Sequence, residues 1–274
     1  MKLGFLTKYS QERMEFAGKE GFDCVSLADG GPGAEFDVVS ITEDKIKEIR
    51  EIADRNGIVI TAVAYYTKHT EQAEIERFRS TIQVAAKLGA KVAATLANGA
   101  PDVKPEENFP MVKKVFSEYA KLAEDVGVKI GLENSYQMAR YPQNIAFNPV
   151  WWGRLFDAVP SEALGLEFDP SHLVATEIDY LKALRDFGSR IVHFHAKDTE
   201  IDKETLGNCG IYGQGWRRYR IPGWGDINWQ KIFSLLLDIG YDYAMVIEHE
   251  DPVFTGQRYD EGLRRGLKFL KQFV

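Results

Sequence analysis

Eight short runs rich in β-branched and aromatic residues recur along this chain, at 2–7, 24–29, 58–66, 91–98, 129–135, 164–169, 191–197 and 243–249. The stretches between them show apolar spacing near 3.6 residues, most clearly at 43–56, 71–88, 107–126 and 228–239. Several stop at a glycine just before the next run: Gly57, Gly89, Gly127 and Gly240. A glycine there can take the left-handed conformation that ends a helix. Eight strand-then-helix alternations in 274 residues favour one closed (β/α)8 barrel over an open doubly wound sheet. No linker or low-complexity tract divides the chain, so one domain over 1–274 is expected. The one long stretch without such a pattern is 199–226, and a loop that long in a compact domain is usually functional.

Four consecutive runs end in metal-capable side chains. KIGLENS (129–135) reaches Glu133, LGLEFDPSH (164–172) reaches Asp169, IVHFHAKD (191–198) reaches His195, and YAMVIEHE (243–250) reaches Glu248. In a barrel these positions fall at the C-terminal ends of strands five to eight, where such folds place their sites. Alternate residues of a strand share a face, so Glu167 goes with Asp169, and His193 and Lys197 go with His195. Clustered carboxylates repel unless a cation holds them. Glu133, Asp169, His195 and Glu248 are therefore the expected metal ligands, with His193 one layer deeper. Three carboxylates and one imidazole favour Mn²⁺, with Mg²⁺ or Co²⁺ next and Zn²⁺ less favoured. Such an ion can chelate an α-hydroxy-carbonyl unit and stabilise the enediolate left by proton loss. Glu133 on the fifth strand and Glu248 on the eighth face each other across the ring, which suits a catalytic acid–base pair. Tyr65, Asn98 and Lys197 at neighbouring strand ends, with Arg220 and Trp224 in the long loop, are candidate substrate contacts. Tyr65 and Tyr66 point to opposite faces, so one of them packs. Trp151, Trp152 and Trp229 read as core, and the GGPG turn at 30–33 lacks a phosphate-loop lysine.

A net charge of −7 without any basic block argues against nucleic acid or an anionic membrane as partner. No apolar run approaches the roughly 18 residues of a membrane span. Two cysteines, Cys24 and Cys209, exclude a disulfide scaffold and fit a reducing compartment. Met1 leads straight into KLGFLT with no signal-peptide pattern, so a cytoplasmic protein is expected. A homo-oligomer stays open.

The motifs GLEN (131–134), EFDPSH (167–172), HFHAKD (193–198), GWGDINW (223–229) and IEHE (247–250) carry a family resemblance over essentially the whole chain. The chain resembles the xylose isomerase-like TIM barrels, a group containing sugar isomerases, ketose 3-epimerases, inosose-processing enzymes and endonuclease IV. The resemblance implies the same four ligands. It also implies that His172 holds substrate or orients ligands, and that Glu133 and Glu248 move the proton. The ketose 3-epimerase branch has an arginine six residues after the metal histidine, where this chain has Ile201. Arg217, Arg218 or Arg220 are the candidates to replace it. WRRYRIPGWGDINW resembles members that work on larger oxidised glycosides. The nuclease branch needs more histidines than the five present, and a less acidic chain. The expected function is a metal-dependent sugar isomerase or epimerase. The alternative is a lyase of the same fold, a keto-inositol dehydratase or a 3-keto-glycoside cleaving enzyme.

Overall fold

The computed structural model describes residues 1–137 and 139–274. Seven parallel strands come first: β1 (Lys2–Lys8), β2 (Cys24–Ala28), β3 (Val59–Ala64), β4 (Val92–Thr95), β5 (Lys129–Glu133), β6 (Leu164–Phe168) and β7 (Ile191–His195). A two-stranded excursion follows, β8 (Asp198–Ile201) and β9 (Arg217–Arg220), before the last barrel strand, β10 (Ala244–Ile247). Pairing runs from β1 through β7 in chain order, then to β10 and back to β1, which closes an eight-stranded parallel barrel.

The helices around it are α1 (Gln11–Glu20), α2 (Glu43–Arg55), α3 (Gln72–Leu88), α4 (Pro105–Val126), α5 (Pro149–Ala158), α6 (Pro170–Val174), α7 (Tyr180–Phe187), α8 (Lys203–Cys209), α9 (Trp229–Asp238) and α10 (Tyr259–Leu270). Helix α2 illustrates how the sequence sets them. The Thr42 side chain caps its start by accepting from the Lys45 amide, Ile46, Ile49, Ile52 and Ala53 form its buried stripe, and Gly57 at φ 67° lets the chain turn away. Each such isoleucine contributes about 2 kcal/mol by leaving water. Among the described residues no helix is long and apolar enough to cross a membrane.

Along the strands, large side chains face the helices and small ones face the barrel axis. Ile130 and Leu132 of β5 point outward with Leu164, Leu166 and Phe168 of β6. The interior is filled by Ala62, Ala64, Val92, Ala94 and Val192, with Cys24, Ala244 and Val246 beside them. Gly165 belongs to this inner set: a Cβ there would lie 2.4 Å from the Arg190 carbonyl oxygen and 2.5 Å from Val192. Small residues low in the barrel leave its upper layers to polar side chains.

Two departures from the sequence reading bear on the site. The run 164–169 stops as strand at Phe168, because Asp169 caps α6 and its side chain accepts from the Ser171 amide. The stretch 199–226 is not patternless: β8 and β9 form an antiparallel ribbon from Asp198 opposite Arg220 to Ile201 opposite Arg217, with α8 between them. Charge rather than apolar alternation holds this ribbon, as in the bidentate Arg218–Glu200 pair at 2.7 and 2.8 Å, so hydrophobic periodicity misses it. Asp198 ties the excursion at both ends. Its carboxylate accepts from the amides of Thr199, Gly223 and Ile227 and from Trp229 Nε1, at 2.8–3.1 Å.

Candidate active site

The register brings polar groups from adjacent strands to one level. Glu133 of β5 pairs directly with Glu167 of β6, and Glu167 with His193 of β7. Asp169 and His195 follow one step nearer the C-terminal mouth, and Glu248 lies one step beyond Val246, the residue paired with His195. Side-chain amides replace the ladder where the strands run out. Asn134 Nδ2 donates to the Asp169 carbonyl while its Oδ1 accepts from the Asp169 amide, both at 2.8 Å. Asn144 Nδ2 donates to the carbonyls of Glu133 and Ser135 at 3.0 and 2.7 Å. These clasps fix the backbone that carries the first two acids.

Three of the expected four, Glu133, Asp169 and Glu248, come together with His172, and His195 reaches two of them. His195 Nδ1 lies 3.1 Å from Glu133 Oε1 and 3.2 Å from Glu248 Oε2. Oxygens of Glu133, Asp169 and Glu248 and a nitrogen of His172 all lie within 4.8 Å of one another. Two imidazoles therefore abut the three acids: His172 Nε2 is 3.4 Å from Asp169 Oδ2. A second close group, Glu167 with His193 and His195, sits beneath the first.

Lys197 enters this cluster. The residue is 1% exposed, and its ammonium lies 2.6 Å from Glu248, 3.0 Å from Glu250, 3.2 Å from Asp169 Oδ2 and 3.2 Å from His172 Nε2. Tyr219 of the ribbon closes over it, its hydroxyl 3.0 Å from His172 Nδ1. Of the other sequence candidates, the structure turns Tyr65 outward, where its hydroxyl donates to Glu74 at 2.5 Å. Tyr66 points inward instead and donates to Glu167 at 2.8 Å. Tyr65, Tyr66 and Asn98 line a neighbouring cleft of about 350 Å³. Arg220 is committed to Glu200 and Asp251, both at 3.1 Å, and Trp224 packs edge-on against Phe254. Arg218 is held by Glu200. Arg217 stands apart: alternation puts it on the same ribbon face as Tyr219, its guanidinium lies 4.5 Å from the Tyr136 ring centroid, and Nη1 is buried without a hydrogen-bond partner among the described residues. It also sits directly opposite Ile201. A wider cleft of about 580 Å³, lined by Lys91, Lys129 and Tyr243, lies at the opposite end of the barrel, away from the acids.

The electrostatics follow from burying many charges together. Burial, reinforced by the Glu248 charge, pushes Glu133 up to about 8. Burial also raises Asp169, against the pull of Lys197. For Glu248 burial acts upward, but Lys197 and His195 overcome it and hold the carboxyl well below the usual range. Burial works against protonated His195 and Lys197, yet the surrounding carboxylates keep both well above their ordinary values. Burial, then Lys197, keeps His172 neutral.

These residues fit a divalent cation. Asp169 Oδ2 is buried and, although the Lys197 ammonium is near, makes no hydrogen bond. The donors are carboxylate oxygens and imidazole nitrogens, the set that suits Mn²⁺, Mg²⁺ and similar ions. The sequence reading gave Glu167 and Asn144 no role in the site, left the choice between Tyr65 and Tyr66 open, and named Tyr219 only among the loop's aromatic residues. The period-two face shared by Glu167 and Asp169 was the available signal for Glu167.

The model of the family described as xylose isomerase-like TIM barrel matches residues 14–273. An inosose dehydratase of Clostridium perfringens is 34% identical over 107 residues, which are 37% of this chain and 36% of that protein. The IolI protein solved with a bound zinc atom superposes with a TM-score of 0.78 at 20% identity, covering 100% of this chain and 99% of the other. D-psicose 3-epimerase of Clostridium cellulolyticum H10, solved with D-tagatose, gives a TM-score of 0.76 at 18% identity, with 100% and 99% covered. At these identities the two structures speak to fold alone.

Proposed function

The chain belongs to the xylose isomerase-like TIM barrel family, and from that premise we propose that it is a divalent-metal-dependent isomerase or epimerase of an α-hydroxy-carbonyl sugar. One observation carries the reading: oxygens of Glu133, Asp169 and Glu248 lie within 4.8 Å of one another, His195 Nδ1 lies 3.1 and 3.2 Å from two of these acids, and Asp169 Oδ2 has no hydrogen-bond partner among the described residues. Glu133, Asp169, His195 and Glu248 would hold the ion, with Mn²⁺ favoured. When bound, it would polarise the sugar carbonyl and make the neighbouring C–H acidic.

The remaining work falls to side chains. Glu133 and Glu248 come from β5 and from the end of β10, on either side of His195, and can take a proton from one face of the carbon and return it from the other. Asp169 is shorter and clasped by Asn134, which suits a ligand rather than a base. His172, Lys197 and Tyr219 form a connected set of polar groups for the substrate hydroxyls. Arg217, whose Nη1 has no hydrogen-bond partner among the described residues, lies on the ribbon face that Tyr219 shares and suits the far end of the sugar.

Asp169→Ala should lose bound metal, measured by elemental analysis, while its circular dichroism is unchanged. Stoichiometric metal in that variant would refute the ligand set. A lyase of the same chemistry is the second reading. It is favoured by Lys197 and the Tyr219–His172 pair, which give proton donors beyond the two glutamates, and by the inosose dehydratase similarity. Mass spectrometry in heavy water separates them: deuterium gain with the carbon skeleton and oxygens intact marks the isomerase, and loss of water or an aglycone marks the lyase.

A further inference from the structure

Glu167 is fully buried one layer below the mouth, and three donors converge on it. Its Oε1 lies 2.8 Å from His193 Nδ1 and 3.2 Å from His195 Nε2, and its Oε2 accepts from the Tyr66 hydroxyl at 2.8 Å. His193 is anchored from behind, with Nε2 3.2 Å from Thr61 Oγ1. An ionised carboxylate only accepts, so each group facing it presents its hydrogen. For His195 this has a directional result. With Nε2 turned to Glu167, Nδ1 faces the space between Glu133 and Glu248, whose oxygens lie 3.1 and 3.2 Å away, and is the nitrogen a cation there would meet.

We propose that Glu167 is a positioning residue for the metal centre: it fixes the tautomer and ring plane of His195 so that Nδ1 is offered to the cation, without ligating the cation itself. This rests on the metal reading above. A carboxylate on the far nitrogen of a ligating imidazole both orients the ring and raises its basicity, and losing such a partner commonly weakens metal binding about 10–100-fold. The second role open to Glu167, as ligand of a second ion with His193 and His195, would require its oxygens to give up the Tyr66 and His193 contacts.

The test uses Mn²⁺ and Co²⁺ alone as probes, with the full chain. Wild type should bind one ion. Glu167→Gln keeps the volume of the side chain but removes its charge. It should keep its circular dichroism, bind Mn²⁺ about 10–100-fold more weakly in chelator competition, and shift the visible spectrum of bound Co²⁺. Tyr66→Phe removes one donor to the same carboxylate and should weaken Mn²⁺ in the same direction by a smaller factor. It decides the matter if Glu167→Gln does not fold. Wild-type affinity and an unchanged Co²⁺ spectrum in the folded variants overturn the proposal and leave the metal reading standing. Two ions in wild type and one in Glu167→Gln overturn it in favour of direct ligation. A wild type that binds no divalent ion sinks the metal reading, and this inference with it.

Discussion

Glu133 and Glu248 share one imidazole yet are biased oppositely. Burial and its neighbour's charge push Glu133 to about 8, whereas Lys197 and His195 overcome burial at Glu248 and keep it ionised. On the proposed metal reading, a cation entering this site would displace a proton. At neutral pH, with Glu133 below its own pKa, the metal-free protein carries that proton and the loaded one does not. Affinity should consequently rise with pH through neutrality, by about tenfold per pH unit for each proton displaced, with the Glu133 share of that rise ending near pH 8. Calorimetry in buffers of different ionisation enthalpy would measure the proton release, and a pH-independent affinity between 6 and 8 would contradict it. On the proposed mechanism, Gln at either glutamate would keep one ligating oxygen and remove the base. Each variant should retain metal but lose turnover by a factor on the order of 10² or more. Near-normal turnover with metal bound would assign the proton transfer elsewhere.

At the scale of elements, the packing of α3 against α4 encloses His69. Its ring sits among Phe78, Phe116 and Tyr119, donates from Nε2 to the Leu96 carbonyl at 2.8 Å, and faces the Tyr119 hydroxyl through Nδ1 at 3.0 Å. Burial lowers its pKa from 6.5 to about 4. Above pH 6.5 the ring is neutral in both the folded and the unfolded chain, so its packing contributes fully. As pH falls from 6.5 toward 4 the unfolded chain takes the proton first, and stability drops. The loss is at most about 3–4 kcal/mol, since each tenfold difference in proton affinity is worth roughly 1.4 kcal/mol. Urea midpoints at pH 7.5 and 4.5 should differ by more in wild type than in His69→Gln, and equal differences would refute the assignment. The ribbon gives a second contrast between elements. Arg220→Ala leaves buried Asp251 without its cation and should lower stability by about 3 kcal/mol. Arg217→Ala breaks no ion pair among the described residues and should raise KM while leaving the melting temperature in place. The reverse pattern, read from thermal melts and steady-state kinetics, would exchange their roles.

Across the whole molecule, the barrel and the four strand-end side chains were legible because both rest on regular spacing. Apolar runs at eight places gave the strands, and the last four carried Glu133, Asp169, His195 and Glu248 at matched ends. What escaped the sequence has a common physical cause. Contacts made across the ring, such as Tyr66 to Glu167 over 101 residues of chain, have no local period to betray them. The inward choice between Tyr65 and Tyr66 hung on a strand that ends at Ala64, where alternation no longer decides direction. Lys197 was expected to face the site, but not that its ammonium would reach three carboxylates at once. The run GWGDINW, quoted for its family likeness, works here as the other half of the Asp198 knot: Gly223 and Ile227 supply amides, Trp229 its indole, and a Cβ on Gly225 would lie 2.3 Å from the Asp198 carboxylate.

That knot has a consequence for how such a chain can change over time. The excursion leaves the barrel and re-enters it at a single carboxylate, so everything beyond the ribbon hangs from a closed stem. Insertions or deletions between Ile201 and Arg217 can be absorbed while the stem holds the surrounding strands in register. Replacing 203–215 by a short turn should therefore leave a cooperatively folding barrel with its Mn²⁺ affinity intact, whereas Asp198→Ala, which conserves the length, should loosen the whole excursion to proteolysis. If instead the shortened chain fails to fold and Asp198→Ala resists protease, the segment is part of the foundation rather than an exchangeable fitting.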